Sequence, residues 1–489
     1  MKYLRGIDFG GGASKATLID ETGCIIAENT VEYETYHPTP GSAEQEPADW
    51  IEALKKNTRA ILSKSGVSAS DIAAVAVDSA THTFVAADKS GKPLRPAIHW
   101  TDTRSRKEAN GLRERFGDEI FKKSYHKPDT IWTLPMLAWL RENEPSVFSR
   151  IGRIYFEKDY IREYLSGVFA TDHIEAQGSM LYDCERGCFD PFLCSLAGIS
   201  PEMLAPIGSP TDIVGGVTAE AARETGLAEG TPVVMGTTDT VMEVFASGAV
   251  SEEDMTVKLA TAGRICVITE GARPDRHLVN YSHIVKGLWY PGTATKAAAA
   301  SYRWYRDTFG GDYKALDAAA ERIPIGAEGL FFHPYLLGEL TPYADPTLKA
   351  SFTGVGAQHT RAHFTRAVLE GVAFSLMDCK LYLDSLGIPH KARATLIGGG
   401  AKGRLWREIV ADALGISLVT TESSDSSLGS AMLAGLAVGI FESAEDAVSK
   451  CVKQKDTVEP NPENTEKYKA LFKTYKEIHD ALAPIYNKQ

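Results

Sequence analysis

The stretch that most constrains the fold of this chain lies near its middle. An apolar run ends there in a glycine, two hydroxyl residues and a carboxylate, in the order Val233-Val234-Met235-Gly236-Thr237-Thr238-Asp239-Thr240. Residues 241–246 predict a helix directly after it. Strand, turn and helix in this order indicate an α/β sheet, which binds ligands at the carboxyl ends of its strands. Asp239 is therefore either a carboxylate that faces a ligand or only a helix cap, since aspartate is a preferred capping residue.

A second turn of this kind lies near the amino terminus. Residues 4–8 predict a strand that ends at Asp8, and residues 16–20 predict another, with Gly10-Gly11-Gly12 as the turn between them. Glycine lets a backbone approach a ligand closely because it has no side chain. The turn joins two strands, so it lacks the strand-to-helix setting of a Rossmann fingerprint or a P-loop. A hairpin of this type can still receive a phosphate.

The second half of the chain repeats part of this pattern. Strands are predicted over residues 255–260 and 265–269, with the turn Thr261-Ala262-Gly263 between them. Two strand-turn-strand units, one in each half, predict two related domains. A third glycine turn, Gly398-Gly399-Gly400, joins a buried strand to a predicted helix over residues 405–414. The amino terminus of such a helix is a site for a nucleotide phosphate.

Length and composition exclude several classes of protein. At 489 residues, with 44% hydrophobic and 24% charged residues, the chain predicts a globular enzyme of two or three domains. A net charge of -12 disfavours nucleic-acid and membrane surfaces as partners. We expect a cytoplasmic protein, because the start is not a signal peptide and no run of 18 apolar residues occurs. An anionic ligand would then need local backbone N–H groups and a metal ion.

Cysteine and histidine give weak signals by themselves. None of the seven cysteines forms a CxxC pair, and Cys184 and Cys188 have no histidine at zinc spacing. Buried free thiols are therefore favoured over a metal site. His82 lies in a polar loop between two predicted strands, where a histidine on the surface is the simpler interpretation.

Asp8 and Asp239 together indicate a reaction type. Turns of small residues offer N–H groups to phosphates, and two carboxylates on separate turns can divide two tasks between them. Phosphoryl transfer needs a divalent cation near the phosphate oxygens and a carboxylate that takes the proton of the attacking hydroxyl. The sequence therefore predicts that Asp8 anchors a metal and that Asp239 is the base.

The chain resembles the FGGY carbohydrate kinases, and more closely their xylulokinase-like branch, along nearly its whole length. The most specific match is to the carboxyl-terminal signature of that family, which fits at every defined position. It runs through Ala350-Ser351-Phe352-Thr353-Gly354-Val355, seven further residues, and His363-Phe364-Thr365-Arg366-Ala367-Val368-Leu369-Glu370. Shorter matches follow in the family's order at Gly6-Ile7-Asp8-Phe9-Gly10, Ala43-Glu44-Gln45-Glu46-Pro47, Trp100-Thr101-Asp102-Thr103-Arg104, Lys158-Asp159-Tyr160, Ala170-Thr171-Asp172 and Gly398-Gly399-Gly400-Ala401-Lys402.

The resemblance implies an α/β fold of two ribonuclease-H-like domains of the actin and hexokinase type, with a central cleft. Residues 1–246 would form the sugar-binding domain with the catalytic base, and residues 247–489 the nucleotide-binding domain. It further implies ATP-dependent phosphorylation of a pentulose or a related ketose or polyol, with ATP and Mg²⁺ as cofactors. Sugar and ATP would be the partners, and the oligomeric state stays open, a homodimer included.

The resemblance also implies roles for individual residues. Asp239 would be the general base and Asp8 would bind the Mg²⁺–nucleotide. The sugar pocket would be lined by Thr81, His82, Trp100, Asp239 and Thr240. The nucleotide would be surrounded by Gly11, Gly12, Thr261, Ala299, Gly400 and Arg404.

Some positions depart from the family pattern. Gly11, Gly12 and Ala13 stand where hydroxyl residues are usual, and Met136 stands where lysine is usual. Thr81 and Thr240 alter the hydrogen bonds that would select D-xylulose. A catalytically weak nucleotide-binding sensor on the same fold is therefore the alternative, although such a protein needs neither carboxylate. An actin-like or chaperone ATPase is disfavoured by the complete carboxyl-terminal signature.

Overall fold

The computed structural model describes residues 1–488, and the chain divides into two compact units. Unit 1 comprises Met1–Gly248, Tyr281–Gly287 and Ser423–Lys453. Unit 2 comprises the rest of the described chain. Two segments from the second half of the sequence therefore complete the unit that begins at the amino terminus.

The central sheet of unit 1 has six main strands in the order β5-β6-β4-β1-β2-β3. Strands β1, β2 and β3 are antiparallel neighbours, β1 pairs in parallel with β4, and β4 pairs in parallel with β6. The last pair, β5 and β6, is antiparallel. The strands are β1 (Tyr3–Phe9), β2 (Ala13–Asp20), β3 (Ile25–Glu32), β4 (Ile72–Ser79), β5 (Ile213–Gly216) and β6 (Pro232–Val234).

The central sheet of unit 2 repeats this arrangement, in the order β9-β8-β7-β10-β11-β12. An antiparallel run of three strands again leads into two parallel pairings, and the last pair is antiparallel. The predicted repeat of a strand-turn-strand unit is therefore confirmed, and it extends to whole sheets. The strands are β7 (Met255–Leu259), β8 (Gly263–Val267), β9 (Gly292–Ala294), β10 (Arg393–Ile397), β11 (Ser417–Thr421) and β12 (Gln454–Val458).

Helices and short strands surround the two sheets. The helices are α1 (Pro47–Ser65), α2 (Arg106–Ser124), α3 (Thr133–Asn143), α4 (Pro145–Phe148), α5 (Glu157–Ser166), α6 (His173–Gly178), α7 (Pro191–Ala197), α8 (Ala219–Thr225), α9 (Asp239–Ala246), α10 (Ala299–Phe309), α11 (Tyr313–Ala320), α12 (Arg361–Ser385), α13 (Arg404–Leu414), α14 (Ser426–Ala437), α15 (Ala444–Cys451) and α16 (Pro462–Tyr486). The short strands are Glu44–Gln45, Phe84–Ala87, Ala97–Ile98, Arg153–Phe156, Thr171–Asp172, Tyr182–Asp183, Cys188–Phe189, Ile207–Gly208, Thr237–Thr238, Thr269–Glu270, Leu288–Trp289, Phe331–His333 and Ser351–Thr353. No helix within residues 1–488 is long and apolar enough to cross a membrane.

Strand β1 lies between two layers because its side chains alternate between the faces of the sheet. Ile7 and Phe9 belong to the apolar core that also contains Trp50 of α1. On the other face, a Cβ atom at Gly6 would lie 1.9 Å from the Ser427 carbonyl oxygen of α14. Only glycine allows this approach. Helix α14, from the carboxyl-terminal part of the chain, is thus packed directly on the strand that carries Asp8.

Candidate active site

Three carboxylates of unit 1 lie at the carboxyl ends of neighbouring strands, at one edge of its sheet. Asp8 of β1 pairs in register with Asp78 of β4, and Asp78 pairs in register with Thr237. Asp239 follows two residues after Thr237. Because β1, β4 and the Thr237–Thr238 strand are parallel, their carboxyl ends meet at the same edge. The predicted meeting of two separate turns is therefore observed within unit 1.

The turn before Asp239 depends on a glycine and a threonine cap. Gly236 has a φ of 72°, and a Cβ atom there would lie 1.9 Å from the Val77 carbonyl oxygen. The cap of helix α9 is Thr238, whose side-chain oxygen accepts a hydrogen bond from the Val241 N–H. Asp239 is the first helical residue, so the interpretation of Asp239 as the cap is wrong.

Two threonines hold the Asp239 carboxylate. Thr81 Oγ1 donates to Asp239 Oδ1 at 3.5 Å, and Thr240 Oγ1 donates to the same oxygen at 3.2 Å. Both threonines are among the residues predicted for the sugar pocket. Hydroxyl groups on one carboxylate oxygen orient the carboxylate plane and contribute no charge.

The field around Asp8 is strongly negative. Burial, followed by the charges of Asp425 and Asp239, raises the pKa of Asp8 to about 7. Burial, followed by the charge of Asp8, raises the pKa of Asp78 well above its ordinary range. Lys15 donates to Asp425 Oδ2 at 2.7 Å and offsets part of this charge. A bound cation would therefore be favoured at this edge of the sheet.

The first glycine turn directs its carbonyl oxygens towards protein donors. The Gly10 carbonyl accepts from the Tyr33 hydroxyl, the Gly11 carbonyl from Thr35 Oγ1 at 2.6 Å, and the Gly12 carbonyl from the Tyr33 N–H at 3.1 Å. Gly11 and Gly12 are exposed. Neither carries a side chain that would keep a phosphate away from the backbone. Backbone N–H groups of this turn can therefore donate hydrogen bonds to a phosphate without help from hydroxyl side chains.

His82 is a buried residue of an aromatic cluster. Its side chain is 7% exposed, so the interpretation as a surface histidine is wrong. The Nε2 atom lies 3.1 Å from the Tyr281 hydroxyl, and the ring centroid lies 4.4 Å from that of Trp132. Burial lowers the pKa of His82 and of His126 to about 3, so both imidazoles are neutral at pH 7.

Trp100 occupies a turn and not the start of a helix. Helix α2 begins only at Arg106, because Asp102 accepts a hydrogen bond from the Arg104 N–H at 2.9 Å and closes a tight turn there. The Trp100 side chain is 39% exposed, and its backbone N–H donates to Thr83 Oγ1 at 3.4 Å. The segment that carries Trp100 is therefore a turn that precedes α2.

A buried network of charged side chains lies next to the Asp239 turn. Lys158 pairs with Asp172 at 2.9 Å, and Arg162 pairs with Asp159 at 2.8 Å. Asp172 also accepts from Thr237 Oγ1 at 2.8 Å, two residues before Asp239. Because these groups are buried and paired, the network fixes the backbone that presents Asp239.

In unit 2, three of the four predicted nucleotide residues meet at the carboxyl end of β7. The Thr261 carbonyl accepts from Ala298 N–H at 2.9 Å, and the Ala260 carbonyl accepts from Ala299 N–H at 2.7 Å. A Cβ atom at Gly400 would lie 2.6 Å from Leu259 Cγ. The turn after β7, the start of α10 and the third glycine turn are thus neighbours.

Arg404 is the fourth predicted nucleotide residue, and it is the first residue of α13. Its guanidinium is exposed and pairs with Glu408 at 2.8 Å, one helical turn further on. The predicted strand-to-helix setting of the third glycine turn is confirmed, since β10 ends at Ile397 and α13 begins at Arg404.

All seven cysteines are free, and four are buried: Cys194, Cys266, Cys379 and Cys451. Within residues 1–488 no group of three or more His, Cys, Asp or Glu side chains is placed to hold a metal ion by itself.

Several residues of this site were not predicted from the sequence. Asp78 ends an apolar strand just as Asp8 does, and that position was a usable signal. Ser430, which donates to Asp78 Oδ2, and Tyr281, which contacts His82, come from distant parts of the chain. No local pattern marks either of them.

Comparison with known proteins identifies the family. The N-terminal domain of the FGGY family of carbohydrate kinases matches residues 3–246, and the C-terminal domain of that family matches residues 233–438. A xylulose kinase of Bacillus subtilis (strain 168) is 33% identical over 485 residues, which cover 98% of this chain and 97% of the relative.

A gluconokinase of the same organism is 28% identical over 501 residues, covering 99% of this chain and 97% of the relative. The crystal structure of xylulose kinase from Rhodospirillum rubrum superimposes with a TM-score of 0.92 at 29% identity, covering 99% of this chain and all of that one. The mixed α/β fold with two repeated sheets is therefore the actin- and hexokinase-like fold of these kinases. The chain belongs to the FGGY family of carbohydrate kinases and is an ATP-dependent sugar kinase.

Proposed function

We propose that this kinase phosphorylates a hydroxyl of a pentulose or a related ketose or polyol, with Asp239 as the general base. The observation that carries the proposal is the placement of Asp239 on the sheet edge that also carries Asp8. Thr81 and Thr240 contact the Asp239 carboxylate, and in this proposal they line the sugar pocket together with His82 and Trp100.

The chemistry assigned to Asp239 follows from its position. A carboxylate that starts a helix and is oriented by two hydroxyl donors can accept the proton of a sugar hydroxyl as that hydroxyl attacks. The proton of the sugar hydroxyl then resides on Asp239. The sugar oxygen attacks the terminal phosphate of ATP, and ADP is the leaving group. Gly11 and Gly12 would offer backbone N–H groups to that phosphate. Thr261, Ala299, Gly400 and Arg404 would surround the rest of the nucleotide.

The residues around Asp8 fit a magnesium ion. Asp8 and Asp78 supply oxygen atoms, which Mg²⁺ prefers, and Asp78 Oδ1 is buried without a hydrogen-bond partner in the protein. Magnesium is usually bound by one or two carboxylates together with substrate phosphates, so it needs no larger group of protein ligands. When bound, the ion would neutralise phosphate oxygens, and Asp8 would be its anchor.

The charges of this unit favour a neutral sugar over an aldonate as the proposed substrate. Asp8, Asp239 and Asp425 already crowd negative charge at the sheet edge. The buried cations next to them, Lys158 and Arg162, are paired with aspartates. A substrate carboxylate would therefore meet like charges and neutral imidazoles, which costs binding free energy.

A coupled ADP-release screen tests this proposal. The panel comprises ketopentoses, ketohexoses, polyols and gluconate, each at saturating ATP and Mg²⁺, with a reaction without sugar as the control. We expect kcat/KM for a neutral ketose or polyol to exceed that for gluconate by about 10²-fold or more. A preference for gluconate would contradict the substrate class. ADP release that does not depend on any sugar of the panel would contradict the function.

A further inference from the structure

Tyr281 and His82 form a buried contact that the reaction scheme above does not use. The two side chains are 4% and 7% exposed, and the Tyr281 hydroxyl lies 3.1 Å from His82 Nε2. Tyr281 comes from the short segment Tyr281–Gly287, which belongs to unit 1 although its neighbours along the chain belong to unit 2. A residue 199 positions away along the chain thus contacts a histidine of the sugar pocket.

The two ring nitrogens of His82 have different surroundings. A neutral imidazole has one N–H donor and one acceptor nitrogen. A Cβ atom at Gly178 would lie 2.6 Å from His82 Nδ1, so this nitrogen packs against the Gly178 backbone, and it makes no hydrogen bond within the described chain. Nε2 faces the Tyr281 hydroxyl. The hydrogen bond with Tyr281 is therefore the polar contact that selects which nitrogen carries the proton.

The ring plane of His82 is fixed by aromatic neighbours. Trp132 lies between two histidines, with centroid distances of 4.4 Å to His82 and 4.2 Å to His126. The His126 ring is stacked on Trp132 at an interplanar angle of 20° and lies 5.3 Å from Tyr281. The hydrogen bond to Tyr281 is therefore made within a packed cluster, where rotation of the imidazole has little room.

The backbone that carries Tyr281 is held by the helix that carries Gly178. Gln177 of α6 accepts from the Ser282 N–H at 2.9 Å and donates to Ser282 Oγ at 2.6 Å. Helix α6 therefore places Gly178 against one imidazole nitrogen and, through Ser282, places Tyr281 against the other.

We propose that Tyr281 is a positioning residue for sugar recognition, whose hydroxyl is hydrogen-bonded to His82 Nε2 and holds the imidazole in a single tautomer. The inference rests on the proposed function in one respect, namely that His82 lines the sugar pocket. Without the phenol oxygen, Nε2 loses its hydrogen-bond partner, and the imidazole can exchange between its two tautomers. Sugar binding then weakens while the Asp239 chemistry is retained.

The test compares Tyr281→Phe with Tyr164→Phe, which removes another hydroxyl of unit 1, one that donates to Glu224. In Tyr281→Phe we expect the KM for the preferred sugar to rise about 10-fold, with kcat within about 2-fold and the KM for ATP unchanged. We expect Tyr164→Phe to change none of these constants. An unchanged sugar KM in Tyr281→Phe would contradict the inference.

A second measurement does not depend on activity. In protein with ¹⁵N-labelled histidine, His82→Gln identifies the His82 signals among those of the 12 histidines. We expect wild-type His82 to be neutral and to show a single tautomer, and Tyr281→Phe to shift its signals towards a mixture of the two tautomers. A wild-type His82 that already exchanges between both tautomers would overturn the inference even if Tyr281→Phe fails to fold. If no sugar is phosphorylated, the proposed function fails while this spectrum still decides the role of Tyr281.

Discussion

At the scale of single residues, the main feature is the concentration of carboxylates around Asp8. Asp8 and Asp78 face each other across two paired strands, and Asp239 and Asp425 add charge nearby. A group in such a field holds its proton in the folded chain and releases it in the unfolded chain. The pH dependence of the free energy of unfolding, measured without ligands, should therefore depend on the pKa of Asp8.

We predict that the ligand-free protein loses stability as the pH rises from about 4 to 7. The pKa of Asp8 is raised from its ordinary 3.8 to about 7, so in this interval the folded state binds a proton that the unfolded state lacks. By linkage, the free energy of unfolding falls with increasing pH, by up to about 4 kcal/mol for this shift. Asp8→Asn should remove this part of the fall.

Denaturant unfolding at pH 5 and pH 8 checks the prediction. Asp88→Asn is the matched control, because Asp88 lies in a surface turn and its hydrogen bonds with Ser90 lower its pKa. If wild type and Asp8→Asn lose the same free energy of unfolding between pH 5 and pH 8, Asp8 does not change its protonation state in this interval, and the prediction is contradicted.

The positions of site residues at the sheet edge could be predicted from the sequence where each residue ends its own apolar run. Asp8 and Asp239 meet that condition, and both lie at the sheet edge. Asp78 meets it too, so its position could have been predicted in the same way. Tyr281 and Ser430 act through contacts more than 190 residues away along the chain, and no local pattern contains that information.

At the scale of elements, the site depends on how closely helix α14 approaches strand β1. The approach requires Gly6, because a methyl group there would overlap the Ser427 carbonyl. On the same helix, Gly429 lies against the Met242 carbonyl of α9, the helix that begins with Asp239. One helix therefore packs on both elements that present the carboxylates.

We predict that Gly6→Ala destabilises the protein by about 1–3 kcal/mol or more, because the added methyl forces α14 away from β1. Gly111→Ala is the control, since Gly111 lies in α2 with no atom within 4 Å of the position of its Cβ. This second substitution should raise the free energy of unfolding by about 0.5–1 kcal/mol, because alanine favours a helix. Denaturant titration of both variants gives the two values, and equal stability of the two would exclude a close approach at Gly6.

Helices and strands themselves were largely predictable from hydrophobic periodicity. Helices α9 and α13 begin within two residues of their predicted first residues. The start of α2 at Arg106 depends instead on the Asp102 turn, which competes with helix formation. Such a turn is a side-chain effect, and the apolar spacing does not reveal it.

At the scale of the whole molecule, two sheets with the same strand order are built from a chain with little local repetition. The hairpins β1–β2 and β7–β8 were visible in the sequence as short strand-turn-strand units. The segment Ser423–Lys453 was not visible as part of unit 1, because its contacts with that unit join distant parts of the chain. Local patterns thus predict the fold class, while the composition of each unit depends on long-range packing.

Turnover by Asp239→Asn tests the central claim most directly. The variant and the Asp88→Asn control are compared with wild type in the ADP-release assay with the preferred sugar, and ATP binding is measured by calorimetry. We predict that Asp239→Asn folds, binds ATP and loses about 10²–10⁴-fold in kcat, while Asp88→Asn matches wild type. Normal turnover by Asp239→Asn would show that another group takes the proton, and would contradict the account.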